Sequence, residues 1–250
     1  MVSSFYNIDP REANIKNLSL SSLKSSAFPV SRASSKTNEG KYEKQQYQNG
    51  YEYVIGTDDV GRGAIAGPIL SASCCIHKDA LENNLLDHVN DSKILSAQDR
   101  QEIFDQILES DIYFRCAERS PQQIDDSNIQ KATMECFQES IQKLILEEEL
   151  PLEKVYAVCD GKSTPKLVGS ATPIPCRPMV DADQKIYTVS LASIIAKVTR
   201  DKLMCEAHEQ WPEFNFKDNK GYRTREHVEA IHKYGPCPIH RMSFKALKHR

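Results

Sequence analysis

The chain has 250 residues, with 32 Lys and Arg against 35 Asp and Glu, which is enough length and apolar content for one well-cored domain plus an appendage. Its net charge of −3 excludes a uniformly basic coat, and its composition excludes disorder throughout. No apolar run approaches the ~20 residues that span a bilayer.

Residues 1 to about 48 are rich in Ser, Lys, Asn and Gln without apolar periodicity, and are expected to form a disordered Ser/Lys-rich extension. They lack the apolar segment of a secretory signal, so a cytoplasmic protein is expected. A transit peptide into an organellar matrix is the alternative, against which Asp9, Glu12, Glu39 and Glu43 count. Residues 49–250 are read as the folded domain.

Tyr53 to Gly56 begins a short apolar strand that runs into Thr57-Asp58-Asp59-Val60-Gly61-Arg62-Gly63. Successive strand side chains point to opposite faces, so Asp58 and Asp59 serve one site only if the backbone leaves strand geometry there. Gly61 and Gly63 permit that exit and expose backbone N–H groups to an anion, and Arg62 offers a planar fork of donors suited to phosphate.

Ile69 to Ile76 reads as a second strand, followed by a helix that Ser96 and Asp99 cap before Ile103, Phe104, Ile107 and Leu108. Ile112 to Ala117 is a third strand. Ile129, Ala132, Thr133, Cys136, Phe137, Ser140, Ile141, Leu144 and Ile145 fall on one helical face, and Pro151 closes that helix. Val155 to Cys159 is a short buried strand ending at Asp160-Gly161. Further helices run from Tyr187 to Glu209 and from about Thr224 to Lys233. This order predicts an α/β fold in which a mixed sheet is flanked by helices, with a helical C-terminal region. From Lys217 to Arg250 nine Lys and Arg face three acids, interleaved with aromatics and four histidines, a tail that suits either a phosphate backbone or a plain solvated helical face. The eight cysteines include no C-x-x-C pair, so free, mostly buried thiols are expected rather than zinc or disulfides.

Asp58, Asp59, Asp160 and Asp183 each sit at a strand end or a helix entry, and such ends converge at one edge of a sheet. Four carboxylates suit two hard divalent cations, Mg²⁺ or Mn²⁺, which activate a water on one side of a phosphorus and stabilise the departing oxygen on the other. Lys197 and Arg200 share a helical face, with simple pairing to Asp201 or Glu206 as the plainer reading. The histidines are expected to be incidental, with His240 the first to test.

The ordered motifs resemble ribonuclease HII, the type 2 ribonuclease H. They are Gly56 to Gly63 with Ala66-Gly67-Pro68; Asp91-Ser92-Lys93 with Leu95-Ser96; Ile124-Asp125 with Asn128-Ile129 and Ala132-Thr133; Asp160-Gly161; Ala192 to Asp201; Gly221-Tyr222 with Thr224; and Gly235-Pro236 through His240-Arg241. The resemblance implies a ribonuclease H-like fold and a four-carboxylate site for Mg²⁺ or Mn²⁺. It also implies cutting of RNA within RNA–DNA hybrids, and incision on the 5′ side of ribonucleotides embedded in duplex DNA. Asp58 and Asp160 match the first and third acids, and Asp183 the fourth by its distance from Ala192-Ser193-Ile194, with Asp181 as rival. The Gly61-Arg62-Gly63 turn is expected to read the ribose 2′-hydroxyl and Tyr222 to stack near the ribose, and Lys93 and Asn128, which match motif positions of the family, are candidate phosphate contacts balanced against ordinary solvated surface roles. Where the family carries Asp-Glu, this chain carries Asp58-Asp59, one methylene shorter, so slower or Mn²⁺-favouring activity is expected. A monomer is expected. The alternative is a hybrid-binding protein impaired in cleavage by that second acid.

Overall fold

The computed structural model describes residues 40–84, 89, 95–167, 173–245 and 247. A five-stranded mixed sheet has the order β3-β2-β1-β4-β5, with β1 Tyr53–Val60, β2 Ile69–His77, β3 Tyr113–Arg119, β4 Val155–Asp160 and β5 Cys176–Met179. The first three strands form an antiparallel meander, while β4 adds to β1, and β5 to β4, in parallel. The parallel pairs bring the C-terminal ends of β1 and β4 to the same edge, which is where Asp58 and Asp160 lie.

Two long helices cover the sheet, α4 Ile129–Glu147 on one face and α5 Tyr187–Gln210 on the other. Period-two alternation divides the strands between them. Ile55, Ala157 and Cys159 pack with Phe137, Ile141 and Leu144 of α4. Tyr156 and Val158 pack with Ala182, Ile186 and Val189 beside α5. α2, Ala97–Leu108, starts with the Ser96–Asp99 capping box expected from the sequence. α3 is Pro121–Asp125. The Asp125 carboxylate accepts from the Met242 N–H at 2.7 Å and the Ser243 N–H at 2.9 Å, fastening the C-terminal segment.

The boundary expected after residue 48 moves toward the N-terminus. Lys41–Gln48 forms a helix, α1, whose Glu43 is fully buried and whose Tyr47 hydroxyl donates to Ile76 O at 2.8 Å. Its mean composition is polar, so the sequence offered no apolar stripe by which to recognise it. Residues 1–39 lie outside the described residues, as does Lys93.

The C-terminal region adds α6 Phe216–Asn219 and α7 Arg225–Tyr234 around a small core of Met204, Phe214, Phe216 and Ile231. Inside it His227 and His240 meet, Nε2 to Nε2, at 3.0 Å. His227 Nδ1–H donates to Tyr222 O at 2.8 Å, and His240 Nδ1 accepts the Cys237 N–H at 2.9 Å. Those partners place the shared proton on His240 Nε2, so both rings are satisfied only when neutral. Burial, then the facing His227, lowers the His240 pKa to about 4, and burial lowers that of His227.

The pKa depression means that the native state binds fewer protons than the unfolded chain between pH 6.5 and about 4. The histidine pair therefore contributes stability above pH 6.5 that is lost as pH falls toward about 4. Urea unfolding midpoints should decline across that window, and His240→Gln should flatten the decline.

Candidate active site

Gly56 and Asp58 share the α5 side of β1, while Ile55, Thr57 and Asp59 face α4. Thr57 joins Ser73 at 2.8 Å, Ser73 in turn meets Ser140 of α4 at 2.7 Å, and Asp59 acts electrostatically on Cys136 of α4. Asp58 instead meets Ser193 of α5, whose hydroxyl hydrogen-bonds its carboxylate, and it also accepts the Asp59 N–H at 2.7 Å.

The parallel register of β1 and β4, which ends at Thr57 opposite Cys159, sets Asp160 next to Asp58 on the α5 side. Asp160 Oδ1 accepts the Ala182 N–H at 2.8 Å, which draws in the 3₁₀ turn Ala182–Gln184 that carries Asp183. Asp183 is buried, and its carbonyl accepts the Ser190 hydroxyl of α5 at 2.6 Å. Its rival Asp181 is exposed and opens that turn in the left-handed region, φ 55°. The structure thus sets Asp58 and Asp160 close enough to act on one another, with the turn that carries the buried Asp183 bonded to Asp160.

Asp59 is carried on the opposite pleat, beside the same strand end. The expected departure from strand geometry at Asp58-Asp59 is corrected: β1 runs on to Val60, and the turn comes at Gly61. The reason is that Asp58 and Asp59 both have antiparallel partners, Ala72 and Ser71, which hold the backbone extended.

Burial above all, then the charges of Asp59 and Asp160, raises the Asp58 pKa well above the usual carboxylate value, against the lowering bonds from Ser193 and the Asp59 amide. Carboxylates that repel one another in a buried pocket are the setting a divalent cation relieves, and their hard oxygens match Mg²⁺ or Mn²⁺. Among the described residues no three His, Cys, Asp or Glu side chains stand at metal-ligating spacing.

Beyond Val60 the chain makes the Gly61-Arg62-Gly63 turn. Gly61 adopts φ +89°, and a Cβ there would overlap the Arg200 guanidinium. Gly63 differs, since a Cβ on it would meet no atom within 4 Å. Arg62 is exposed and donates to Gln130 Oε1 near the start of α4. The amides of Ile65 and Ala66 both donate to Gly221 O, at 2.8 and 3.2 Å, so the turn and the Gly221-Tyr222 segment are tied edge to edge. Tyr222 is 37% exposed, with the Arg200 guanidinium 5.6 Å from its ring centroid.

Arg200 does not share the role of its helical neighbour. Lys197 pairs with Asp201 at 2.7 Å, as the plainer reading expected. Arg200 is fully buried and donates to the carbonyls of Pro68 at 2.8 Å, Lys220 at 2.8 Å and Ala66 at 3.1 Å. Arg241, equally buried, donates to Gly67 O at 2.9 Å. Sequence reasoning did not find either role, nor that of Ser193. Asn128 caps α4, its Oδ1 accepting the Lys131 N–H at 2.9 Å while the residue stays exposed. His240 belongs to the histidine pair, facing His227. All eight cysteines are free.

The family model for ribonuclease HII matches residues 55–247. The chain belongs to the ribonuclease HII family. It is an endoribonuclease of the ribonuclease H type, acting on RNA–DNA hybrids. It is 36% identical to a ribonuclease HII of Caldanaerobacter subterraneus subsp. tengcongensis over 239 residues, 94% of this chain and 93% of that one. The structure is similar to the crystal structure of ribonuclease H2 from Pyrococcus horikoshii OT3, with TM-score 0.64 and 25% identity over 78% of this chain and 95% of that one. It shares its fold with Bst-RNase HIII, crystallised in complex with Mn²⁺, with TM-score 0.63 and 19% identity over 81% and 70% of the two chains. Among the described residues no helix is long and apolar enough to cross a membrane.

The two glycines of the turn should separate under substitution. Gly61→Ala meets the Arg200 side chain and a left-handed φ, and should lower stability by about 2 to 3 kcal/mol in urea unfolding. Gly63→Ala should stay within about 0.5 kcal/mol of the parent.

Proposed function

We propose that the enzyme hydrolyses the RNA strand of hybrids and incises on the 5′ side of single ribonucleotides in duplex DNA, using two divalent cations. The observation that carries this reading is the pairing of Asp58 with Asp160 at the ends of β1 and β4, with the turn that bears the buried Asp183 bonded to Asp160 and Asp59 on the opposite pleat of the same strand end. Those carboxylates would hold Mg²⁺ or Mn²⁺. The bound ions would activate a water and stabilise the oxygen that leaves.

The protein's own groups supply the rest. Ser193 orients the Asp58 carboxylate by a hydrogen bond, and the Ala182 amide orients that of Asp160. Gly63 leaves open space where a nucleic-acid backbone can approach the chain closely. Its partner Gly61 lets the turn fold, and Arg62, steadied by Gln130, presents donors suited to a phosphate. The exposed ring of Tyr222 offers a stacking surface beside that turn, as recognition of a ribose next to a base requires. Asn128 and Lys93 remain proposed backbone contacts. A monomer and a cytoplasmic site of action are proposed with it.

The deciding experiment offers duplex DNA containing one ribonucleotide, with Mg²⁺ or Mn²⁺. The parent should cut on the 5′ side of the ribonucleotide, leaving a 3′-hydroxyl, and Asp160→Asn should lose at least about a hundredfold in rate. Binding without incision in either metal would instead favour a hybrid reader.

Asp59→Glu provides a separate check on the shortened second acid. The extra methylene lets a carboxylate reach around the strand end from the α4 side toward Asp58, so kcat should rise, most in Mg²⁺. An unchanged rate in both metals would show that the shorter side chain costs the enzyme nothing.

A further inference from the structure

α5 begins without a cap of its own. Its N-cap residue, Ile186, makes no side-chain cap bond, and its first turn contains no acid. The missing acceptor arrives from α1. Glu43 Oε1 accepts the Thr188 N–H at 2.8 Å and the Thr188 hydroxyl at 3.0 Å, across 145 positions of sequence.

Thr188 is held from other sides as well. Its carbonyl accepts the Cys74 thiol at 2.9 Å, and its backbone lies so close to β1 that a Cβ on Gly56 would overlap it. One turn further on, Ser193 bonds Asp58, and Ser190 bonds the carbonyl of Asp183. The first two turns of α5 therefore touch the Asp58 carboxylate and the backbone of Asp183. α1 is firmly seated for this task, since Tyr47 bonds Ile76 O, Tyr42 meets the Tyr156 hydroxyl at 3.3 Å, and Gly40 packs against Leu81.

We propose that Glu43 is a positioning residue for the active site: its carboxylate, brought by α1, caps α5 and fixes the height of Ser193 and Asp183 against β1. The segment before the catalytic strand is thereby part of the catalytic apparatus, although it contacts no substrate. A carboxylate near a helix N-terminus is favoured by the backbone dipole as well as by its hydrogen bonds. Burial raises the Glu43 pKa, while the bonds from Thr188 and the Tyr187 backbone lower it. An amide oxygen in the same place can accept both Thr188 bonds, so Gln is the conservative replacement.

This inference rests on the nuclease reading for its kinetic half only. The test compares Glu43→Ala and Glu43→Gln with the parent by hydrogen exchange in metal-free protein and by steady-state incision. In Glu43→Ala, exchange in the segment from Asp183 to Ser193 should rise about tenfold while that of α4 is unchanged. Its kcat should fall about tenfold, with KM within about twofold of the parent. Glu43→Gln should remain within about twofold of the parent in both measurements.

Exchange and kcat both unchanged in Glu43→Ala would overturn the proposal, as would a Gln variant as damaged as the Ala variant. Faster exchange with an unaltered kcat would overturn the positioning role. Should Glu43→Ala fail to fold, Glu43→Asp, one methylene short of Thr188, should show the same two changes in smaller degree, and its matching the parent in both would also overturn the proposal. A parent protein that cuts nothing would remove the nuclease reading and leave the exchange result to decide the cap.

Discussion

The close seating of α5 on β1 is the constraint from which the rest of the site follows. At Gly56 the strand has no side chain, and the Thr188 and Val189 backbone fills the space that a Cβ would need. Helix and strand normally stand apart by the thickness of their side chains. Here that layer is missing at one point, two residues before Asp58, so the helix backbone lies low enough for Ser193 to reach the carboxylate. The same depth buries Asp58, and burial is the leading reason its pKa is raised.

A second constraint governs the nucleic-acid side. Buried cations usually pair with acids, yet Arg200 and Arg241 are spent on backbone carbonyls instead. A guanidinium has five donors in a fixed plane, so one side chain can bind several loop carbonyls that would otherwise be buried without partners. Arg200 thereby joins Pro68, Ala66 and Lys220, which brings the Gly-Arg-Gly turn and Tyr222 into one rigid surface. Burial lowers the pKa of both, and in Arg241 the neighbouring Arg200 adds to the effect. The positive φ values of Gly61, Gly67 and Gly221 belong to the same device, because a side chain at each would strike Arg200, Met204 or the Ala66 carbonyl.

Pleat alternation explains how the acids divide. Asp58 and Asp160 share a face because their strands are parallel neighbours in register, and the turn that carries Asp183 is tied to Asp160 by the Ala182 amide. Asp59 is adjacent in sequence and opposite in direction. Its charge still bears on Asp58 from the α4 side of the strand. The chemistry of the second acid is therefore a question of side-chain length at a fixed backbone position.

Much of this was legible in the chain itself. Local periodicity named β1, β2, β4, α4 and α5, because a strand or helix that buries one face must repeat its apolar residues at a fixed spacing. The acids at strand ends and the glycine turn were legible too, since each is a short-range pattern. The helix α1 was not, because its hold on the domain rests on Glu43 and two tyrosines rather than on an apolar stripe. Nor was the fate of Arg200, which resembles Lys197 in sequence and differs from it only in which side of α5 meets the loops. Sequence determined the elements and the stock of reactive groups. Tertiary structure alone decided which charged side chains would be buried and against what, because burial depends on partners more than a hundred residues away that no local spacing encodes.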